Sequence, residues 1–372
     1  MSLKFILYLP SAHLSDVHNW TPWILLPLSF QDLGYQSELI CSSYSNLRKL
    51  PFKVTELSKK KTVLGSILEP FFAFKEIFRQ RPVLVIISPF GSYLVSILFL
   101  IFVIKLSTKI RGKNRITFIL KLDWALDFTG FNHLKVALSN LFLFISTHVF
   151  NEVTTETYCG LDRALKAPLV KKSALHRVPI AYPQKFIDLI SYESHPRTKS
   201  IICVARISRM KGQDVLIKAF SKLAQKYSEW TLKLIGPFED QVFKTELDVL
   251  IEDFFLEDRV EFTSFLKEDL LRGEFLSGGI FCLPSVHTES AGNVKYEAIA
   301  YGLPVVTTDV PCRKDFEEIG CLVSRAGNVE ELSKNLNYLM EDEKNRIEIS
   351  KLSQQKIYSY YDVAKMYEEF VG

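Results

Sequence analysis

The chain has 372 residues, of which 48% are hydrophobic, 24% charged and 13% aromatic; this excludes wholesale disorder, and 16 Gly with 15 Pro exclude a fibrous or low-complexity protein. The length predicts two domains or one large one. The formal charge of +4 hides an asymmetry: residues 1–172 hold 21 Lys/Arg against 11 Asp/Glu, a net of +10, and residues 173–372 hold 25 against 31, a net of −6. The two halves therefore face different partners.

In chain order, the first predicted strand is Phe5–Leu9. Its five apolar residues are too few for the apolar core of a signal peptide, and no small-residue cleavage site follows. Further short apolar runs predict strands at Ser37–Cys41, Val83–Ile87, Ile116–Leu120 and Phe144–Val149. Residues 83–104 carry no charge, a length that reaches a bilayer span on paper. Ser88-Pro89 and Gly91-Ser92 interrupt it, so a strand, a turn and an apolar helix over Tyr93–Ile104 are predicted instead. The alternation resumes with strands at Ser200–Val204, Thr231–Ile235, Arg259–Phe262, Gly279–Leu283, Pro304–Thr308 and Cys321–Val323. A polar segment, Pro183–Lys199, separates the two series, and Tyr358–Phe370 reads as a closing amphipathic helix.

Strand–helix alternation predicts parallel sheets covered on both faces. The expected architecture is therefore α/β, with two doubly wound Rossmann-like domains facing a cleft. The six cysteines are scattered without a Cys-x-x-Cys pair, which argues against a zinc site or a disulfide framework and fits a reducing compartment. The glycine signatures of dinucleotide oxidoreductases and P-loop enzymes are missing.

Two segments carry chemistry. The strand Ser200–Val204 leads through Ala205-Arg206-Ile207-Ser208-Arg209-Met210-Lys211-Gly212 into a helix predicted over Val215–Tyr227. Arg206 presents a planar fork for phosphate oxygens, Lys211 a point charge, and the helix start a dipole. A solvated basic loop is the alternative. The second segment runs from Pro284-Ser285 through Glu289, Gly292 and Glu297 to Gly302 and Pro304. Gly292 opens a predicted helix and Gly302 ends it. Glu289 and Glu297 stand eight residues apart, about 12 Å along a helix at 1.5 Å per residue. Free amides at Gly292, Asn293 and Val294 lie between the two carboxylates. That layout suits a ligand with a phosphate in the middle and hydroxyls at both ends, as in a sugar nucleotide. A capping carboxylate and a surface glutamate are the alternative.

Taken jointly, these segments resemble the retaining glycosyltransferases of family four, which have the GT-B fold. The matching pieces are Ala-Arg206-Ile with Lys211-Gly212, Leu-Ile-Gly236-Pro, Pro284-Ser, the Glu289-to-Glu297 spacing, Glu-Ala-Ile-Ala-Tyr-Gly-Leu-Pro-Val-Val, and the tail 357–370; they span residues 199–370. The resemblance implies a cytoplasmic enzyme acting in cell-surface polysaccharide or glycolipid synthesis. It implies an acceptor-binding domain over 1–183, a nucleotide-sugar domain over 184–356, and a C-terminal helix over 357–372 crossing back to the first. Arg206 and Lys211 would hold the donor diphosphate of a UDP- or GDP-sugar. Gly292, Asn293 and Val294 would add backbone amides, Glu289 would contact the donor sugar, Glu297 the ribose, and Gly236 would keep its turn open beside the nucleotide. No cofactor and no metal are expected, since cations and a helix terminus replace a metal as electrostatic stabiliser. The leaving diphosphate itself would assist the incoming hydroxyl, with retained configuration.

The chain departs from the family pattern on the acceptor side. Pro10-Ser-Ala-His13 stands where a Gly-Gly loop is usual, and Val178-Pro-Ile-Ala-Tyr-Pro183 where Asn-Gly is. Asp123 is the candidate substrate carboxylate after its strand, or else a turn or helix cap; His13, and after it His18, are the acceptor-side histidine candidates. A catalytically impaired binding protein or partner subunit of a glycosylation complex is the alternative function. The stretch 66–81 is rich in Phe, with Lys59–Lys61 before it and Lys105, Lys109, Arg111, Lys113 and Arg115 further on. Cations beside aromatics predict attachment to an anionic membrane that presents a lipid-linked or saccharide acceptor, peripheral on its inner face; a packed core with a solvated rim is the alternative. No nucleic acid is expected as partner, because no base-stacking motif accompanies the charge.

Overall fold

The computed structural model describes residues 3–14, 22–44, 52–57, 72–73, 75–77, 79–80, 82, 84–87, 116–122, 133–182, 190–287 and 293–371. The chain divides into two compact units, Met1–Ala181 with Tyr358–Gly372, and Tyr182–Ile357.

The first unit carries a seven-stranded sheet, every ladder of it parallel. Its strands are β1 (Lys4–Leu14), β2 (Gln36–Tyr44), β3 (Lys53–Glu56), β4 (Leu84–Ile87), β5 (Thr117–Leu122), β6 (Glu152–Thr155) and β7 (Leu175–Arg177), in the order β3-β2-β1-β4-β5-β6-β7. Helices α1 (Pro22–Asp32), α2 (His133–Val149) and α3 (Tyr158–Lys166) connect them, and β8 (Ala181–Tyr182) follows. Phe5, Leu7 and Leu9 of β1 enter one core cluster with Leu26 and Phe30 of α1. Ile6 and Tyr8 enter another with Leu143 of α2 and Ala164 of α3. A parallel strand covered on both faces has no polar side, which is why β1 reads as an unbroken apolar run.

The predicted strand over Phe144–Val149 is a correction: these residues end helix α2. Leu143 and Val149 are buried there, and Phe142 and Ile145 pack on the same core. A helix buried on several sides shows neither a period of two nor one of 3.6, so a short window of it imitates a buried strand. The sheet continues instead in β6, whose Thr154 and Thr155 are buried without an apolar run to announce them. The edge strand β3 is also missed: exposed at Lys53 and Glu56 and half-buried between them, it has no apolar run to announce it.

In the aromatic stretch 66–81, the described residues 72–73, 75–77 and 79–80 are helical. Ala73 and Ile77 join the core, while Phe72 is 55% exposed. Among the described residues no helix is long and apolar enough to cross a membrane. The helix predicted over Tyr93–Ile104 and the basic residues 59–61 and 105–115 lie outside the described residues.

The C-terminal helix, Tyr360–Glu368, packs in this unit: Tyr360, Val363, Ala364 and Tyr367 share the cluster of α1. Tyr35 Oη donates to Glu368 Oε1 at 3.0 Å; burial, and then the bonded Glu368, push the Tyr35 phenol up to about 12. A capping box starts the helix, with Ser359 Oγ accepting from the Asp362 amide and the Asp362 carboxylate accepting from Ser359 N.

The second unit holds six parallel strands: β9 (Ser200–Val204), β10 (Thr231–Ile235), β11 (Val260–Thr263), β12 (Ile280–Leu283), β13 (Val305–Thr308) and β14 (Leu322–Ser324). Each overlaps its predicted strand to within one residue at either end. Helices α4 (Gln213–Ala224), α5 (Gln241–Asp253), α6 (Glu268–Ser277), α7 (Asn293–Ala300), α8 (Arg313–Glu318), α9 (Val329–Glu341) and α10 (Glu343–Lys356) cover the sheet. The strand order is β11-β10-β9-β12-β13-β14, so the winding reverses between β9 and β12. Ligands of doubly wound sheets bind beyond the carboxyl ends at such a switch point.

Replacing the Ser359 cap with alanine removes one hydrogen-bond acceptor from the C-terminal helix. Ser359→Ala is expected to lower unfolding free energy by about 1 kcal/mol in a urea titration, with an unchanged slope.

Candidate functional site

The two motif loops sit side by side at the switch point of the second unit. The first leaves β9 through Ala205–Ser208, makes a 3-10 turn at Arg209–Lys211, and enters α4 through Gly212. Gly212 has φ +69°, and a Cβ built there would lie 2.2 Å from the carbonyl oxygen of Pro284. Only glycine allows this approach. The amide of Val286 then donates to the carbonyl of Met210 at 2.9 Å, which ties the loop after β12 to the loop after β9.

A second close approach holds the other side. At Gly236, φ is +147° and an added Cβ would lie 2.0 Å from Ala205 O. The amide of Ile207 donates to Pro237 O at 2.8 Å and that of Glu239 to Ile207 O at 3.1 Å. Gln213, fully buried, fixes the inside of the first loop: its Nε2 donates to Arg206 O at 2.9 Å, and its Oε1 accepts from Ser208 N at 3.4 Å. The sequence does not mark Gln213, since an amide at a helix start carries no signal of its own.

The loop cations differ in commitment. Arg209 forms a two-pronged pair with Glu246, both contacts at 2.6 Å. Arg206 reaches Glu239 at 2.7 Å, with both side chains about half exposed. Such a surface pair is worth under about 1 kcal/mol, so an incoming phosphate can replace the carboxylate. Lys211 is half-buried; burial first, and then the positive charge of Arg206, hold its ammonium below the ordinary lysine value.

Helix α7 starts at Asn293, with Val294 next, so their amides stand at its N-terminal end. Asn293 is exposed, and Val294 and Glu297 are half-buried. Gly302, at φ +76°, follows the helix as predicted, its amide donating to Ile299 O at 2.9 Å. Arg206 and Lys211 on the loop after β9, Gly236 on the loop after β10, and Asn293, Val294 and Glu297 on α7 therefore belong to two loops and one helix at the carboxyl end of one sheet. Glu289 and Gly292 lie outside the described residues, as do Asp123 and His18. His13 is on β1, in register with Ser43, and its side chain is likewise outside them.

The structure adds a residue to this region. Lys295 is fully buried on α7, and its Nζ has no hydrogen-bond partner. The helical period places it in line with buried Ala298 and Ile299, so a lysine on an apolar stripe was a readable signal. Among the described residues no group of His, Cys, Asp or Glu could hold a metal ion.

Comparison with known proteins follows the same division of the chain. Residues 189–356 match the family described as "Glycosyl transferases group 1". An uncharacterized glycosyltransferase of Haemophilus influenzae is 32% identical over 178 residues, covering 47% of this chain and 48% of that protein. The putative colanic acid biosynthesis glycosyltransferase WcaL of Escherichia coli is 31% identical over 157 residues, 39% of this chain and 37% of the relative. The chain thus spans about half or less of the length of the curated relatives it matches. HepE of Anabaena, solved in complex with UDP, superposes with a TM-score of 0.71 at 16% identity over 99% of each chain. A glycosyltransferase from Rickettsia africae gives a TM-score of 0.71 at 14% identity, covering 100% of this chain and 99% of that one. The chain has the GT-B fold of these solved structures, and its residues 189–356 match the group 1 glycosyl transferases.

The two close approaches make a direct test of the loop frame. Gly212→Ala and Gly236→Ala are each expected to lose on the order of 2 kcal/mol or more of stability, because the new Cβ meets backbone. Gly273→Ala in α6, where nothing lies within 4 Å, is expected to be neutral or to stabilise by up to about 1 kcal/mol. Chemical denaturation of the three variants checks the contrast.

Proposed function

We propose that the protein is a retaining glycosyltransferase that moves a sugar from a nucleotide-sugar donor to a hydroxyl of a lipid-linked or saccharide acceptor at a membrane. The observation that carries this reading is the pair of loops tied together at the β9/β12 switch point, with Arg206 and Lys211 on one and the start of α7 following the other. The UDP held by HepE, a protein of the same fold, supports a nucleoside-diphosphate donor. The colanic acid biosynthesis ascribed to WcaL supports a cell-surface saccharide as acceptor.

In this mechanism Arg206 exchanges its exposed partner Glu239 for donor phosphate. Lys211, with the Asn293 and Val294 amides, holds the same diphosphate and stabilises the charge that develops as the sugar leaves. Glu297 takes the ribose hydroxyls and Glu289 the donor sugar. The departing phosphate accepts the proton of the attacking hydroxyl, so the new bond forms on the face the old one left. With cations in these places the reaction proceeds without a metal. Asp123 and His13 are assigned to the acceptor side, and the basic, aromatic stretches of the first unit to an anionic membrane surface.

Nucleotide choice is read by a thermal-shift panel of UDP, GDP, ADP and their sugars. A nucleotide at 100 times its dissociation constant adds about 2.7 kcal/mol to the native state. Lys211→Ala and Glu297→Ala are expected to abolish donor turnover while leaving the melting curve of the empty protein essentially in place. Wild-type turnover in either variant removes the site assignment, and binding without turnover, with membranes supplied, favours a partner-subunit role.

Donor affinity depends on pH with a definite sign. The phosphate-binding form of Lys211 is the protonated one, and its environment releases that proton below the ordinary lysine range. Affinity is therefore expected to fall as pH rises through this lowered value, and the alkaline limb is expected to shift upward in Lys211→Arg.

A further inference from the structure

Lys295 occupies a position that normal packing rules reject. It is the third residue of α7, and a helical Cα–Cβ bond leans toward the helix start, where the free amides and the positive end of the dipole lie. A cation there is disfavoured by that dipole. It is also fully buried, and its Nζ has no hydrogen-bond partner. The ammonium instead lies over the face of the Phe316 ring on α8, 4.0 Å from Nζ to the centroid. Ser285 Oγ at the end of β12 and Ser208 Oγ in the loop after β9 are likewise buried and without a hydrogen-bond partner.

Among the described residues, the charges around Lys295 give it no counter-ion. The positive charge of Lys211, from the loop after β9, acts on it unfavourably. Cys321, ahead of β14, is the other titratable group whose charge reaches it, and burial pushes that thiol up to about 12, so it stays neutral. Strands β12 and β13, which pack on α7, bring Cys282, whose thiol burial also raises, and no charged side chain. On α10, Arg346 is committed to Tyr192 Oη and Leu339 O. On α8, Glu317 pairs with Arg313, and neither Asp315 nor Glu318 bonds the amine.

We propose that Lys295 is a buried member of the diphosphate site at the start of α7, and that the arriving anion binds there together with a proton. This rests on the donor reading above and adds a residue and a linkage to it. A doubly charged phosphate at the helix start supplies the counter-charge that the ammonium lacks. It also cancels the two fields, from the dipole and from Lys211, that oppose its protonation. Burial above all, with the Lys211 charge, pulls the amine down to about 7 in the empty protein, so near pH 8 it is mostly neutral until the anion arrives. The proton comes from solvent and returns to it when the nucleotide leaves.

Calorimetric titration of the full chain with UDP, GDP and ADP at pH 8, in buffers of different ionisation enthalpy, reads the proton directly. Wild type is expected to take up close to one proton per nucleotide bound. Lys295→Met is expected to bind more weakly and to lose most of that uptake. Lys295→Arg, charged at every working pH, is expected to bind with the uptake lost, which keeps the test open if the methionine variant does not fold.

A structural role for the lysine would not produce a second expected signature. Without nucleotide, Lys295→Met should melt above wild type, because it removes an unpartnered ammonium from the core. The advantage should be larger at pH 6 than at pH 9, because the penalty is fully present below the folded value and fades as pH rises toward the ordinary lysine value. Nucleotide binding to wild type without proton uptake, or uptake retained in Lys295→Met, overturns this inference alone. Failure of all three nucleotides to bind wild type overturns the donor reading and this inference with it.

Discussion

The second unit depends on two places where backbone meets backbone with no room for a side chain. Gly212 lies against the carbonyl of Pro284, and Gly236 against the carbonyl of Ala205. These approaches bring the turns after β9, β10 and β12 within hydrogen-bonding reach, and bonds from the Val286, Ile207 and Glu239 amides lock them. A loop by itself is a poor platform for placing charge. Three loops bonded to one another at the carboxyl edge of a sheet are a firmer one, and Arg206 and Lys211 sit on it.

The electrostatics of this frame are one-sided where they matter. Arg209 is neutralised by Glu246, and Arg206 holds a replaceable partner in Glu239. Deeper in, Lys211 is partly desolvated, and Lys295 is fully buried, its Nζ without a hydrogen-bond partner and, among the described residues, without a counter-ion. Proteins keep such arrangements at a stability cost where function requires them. The thiols of Cys203, Cys282 and Cys321 are buried and pushed far up by that burial, so near neutral pH they line the region as small neutral groups rather than as nucleophiles. None of the six cysteines is in a disulfide.

Legibility differed between the two units for a physical reason. In the second unit each strand is a short apolar run between helices of ordinary polarity, so its position could be read to within a residue. In the first unit the helices are themselves apolar. The end of α2 looks like a strand because Leu143 and Val149 are buried and Phe142 and Ile145 lean on the same core. The true strand β6 hides because its buried residues include Thr154 and Thr155. Burial on many sides removes periodicity, and periodicity is the primary secondary-structure signal a single sequence carries.

The candidate site divides the same way. Residue types, their order and their spacing were enough to mark Arg206, Lys211, Gly236 and the Glu289–Glu297 segment, because a phosphate needs cations and free amides whatever the surrounding fold. The sequence by itself thus determined the fold class, the alternation of strands and the family that residues 189–356 match. Only the tertiary structure decided which cation is committed to a carboxylate, which is exchangeable, and which is buried with none. It showed Gln213 as the strut of the loop and the Lys295 amine as fully buried without a hydrogen-bond partner. Desolvation and pairing are set by what lies across a few ångströms of space, and those neighbours, Phe316 for Lys295 and Glu239 for Arg206, are tens of residues away along the chain.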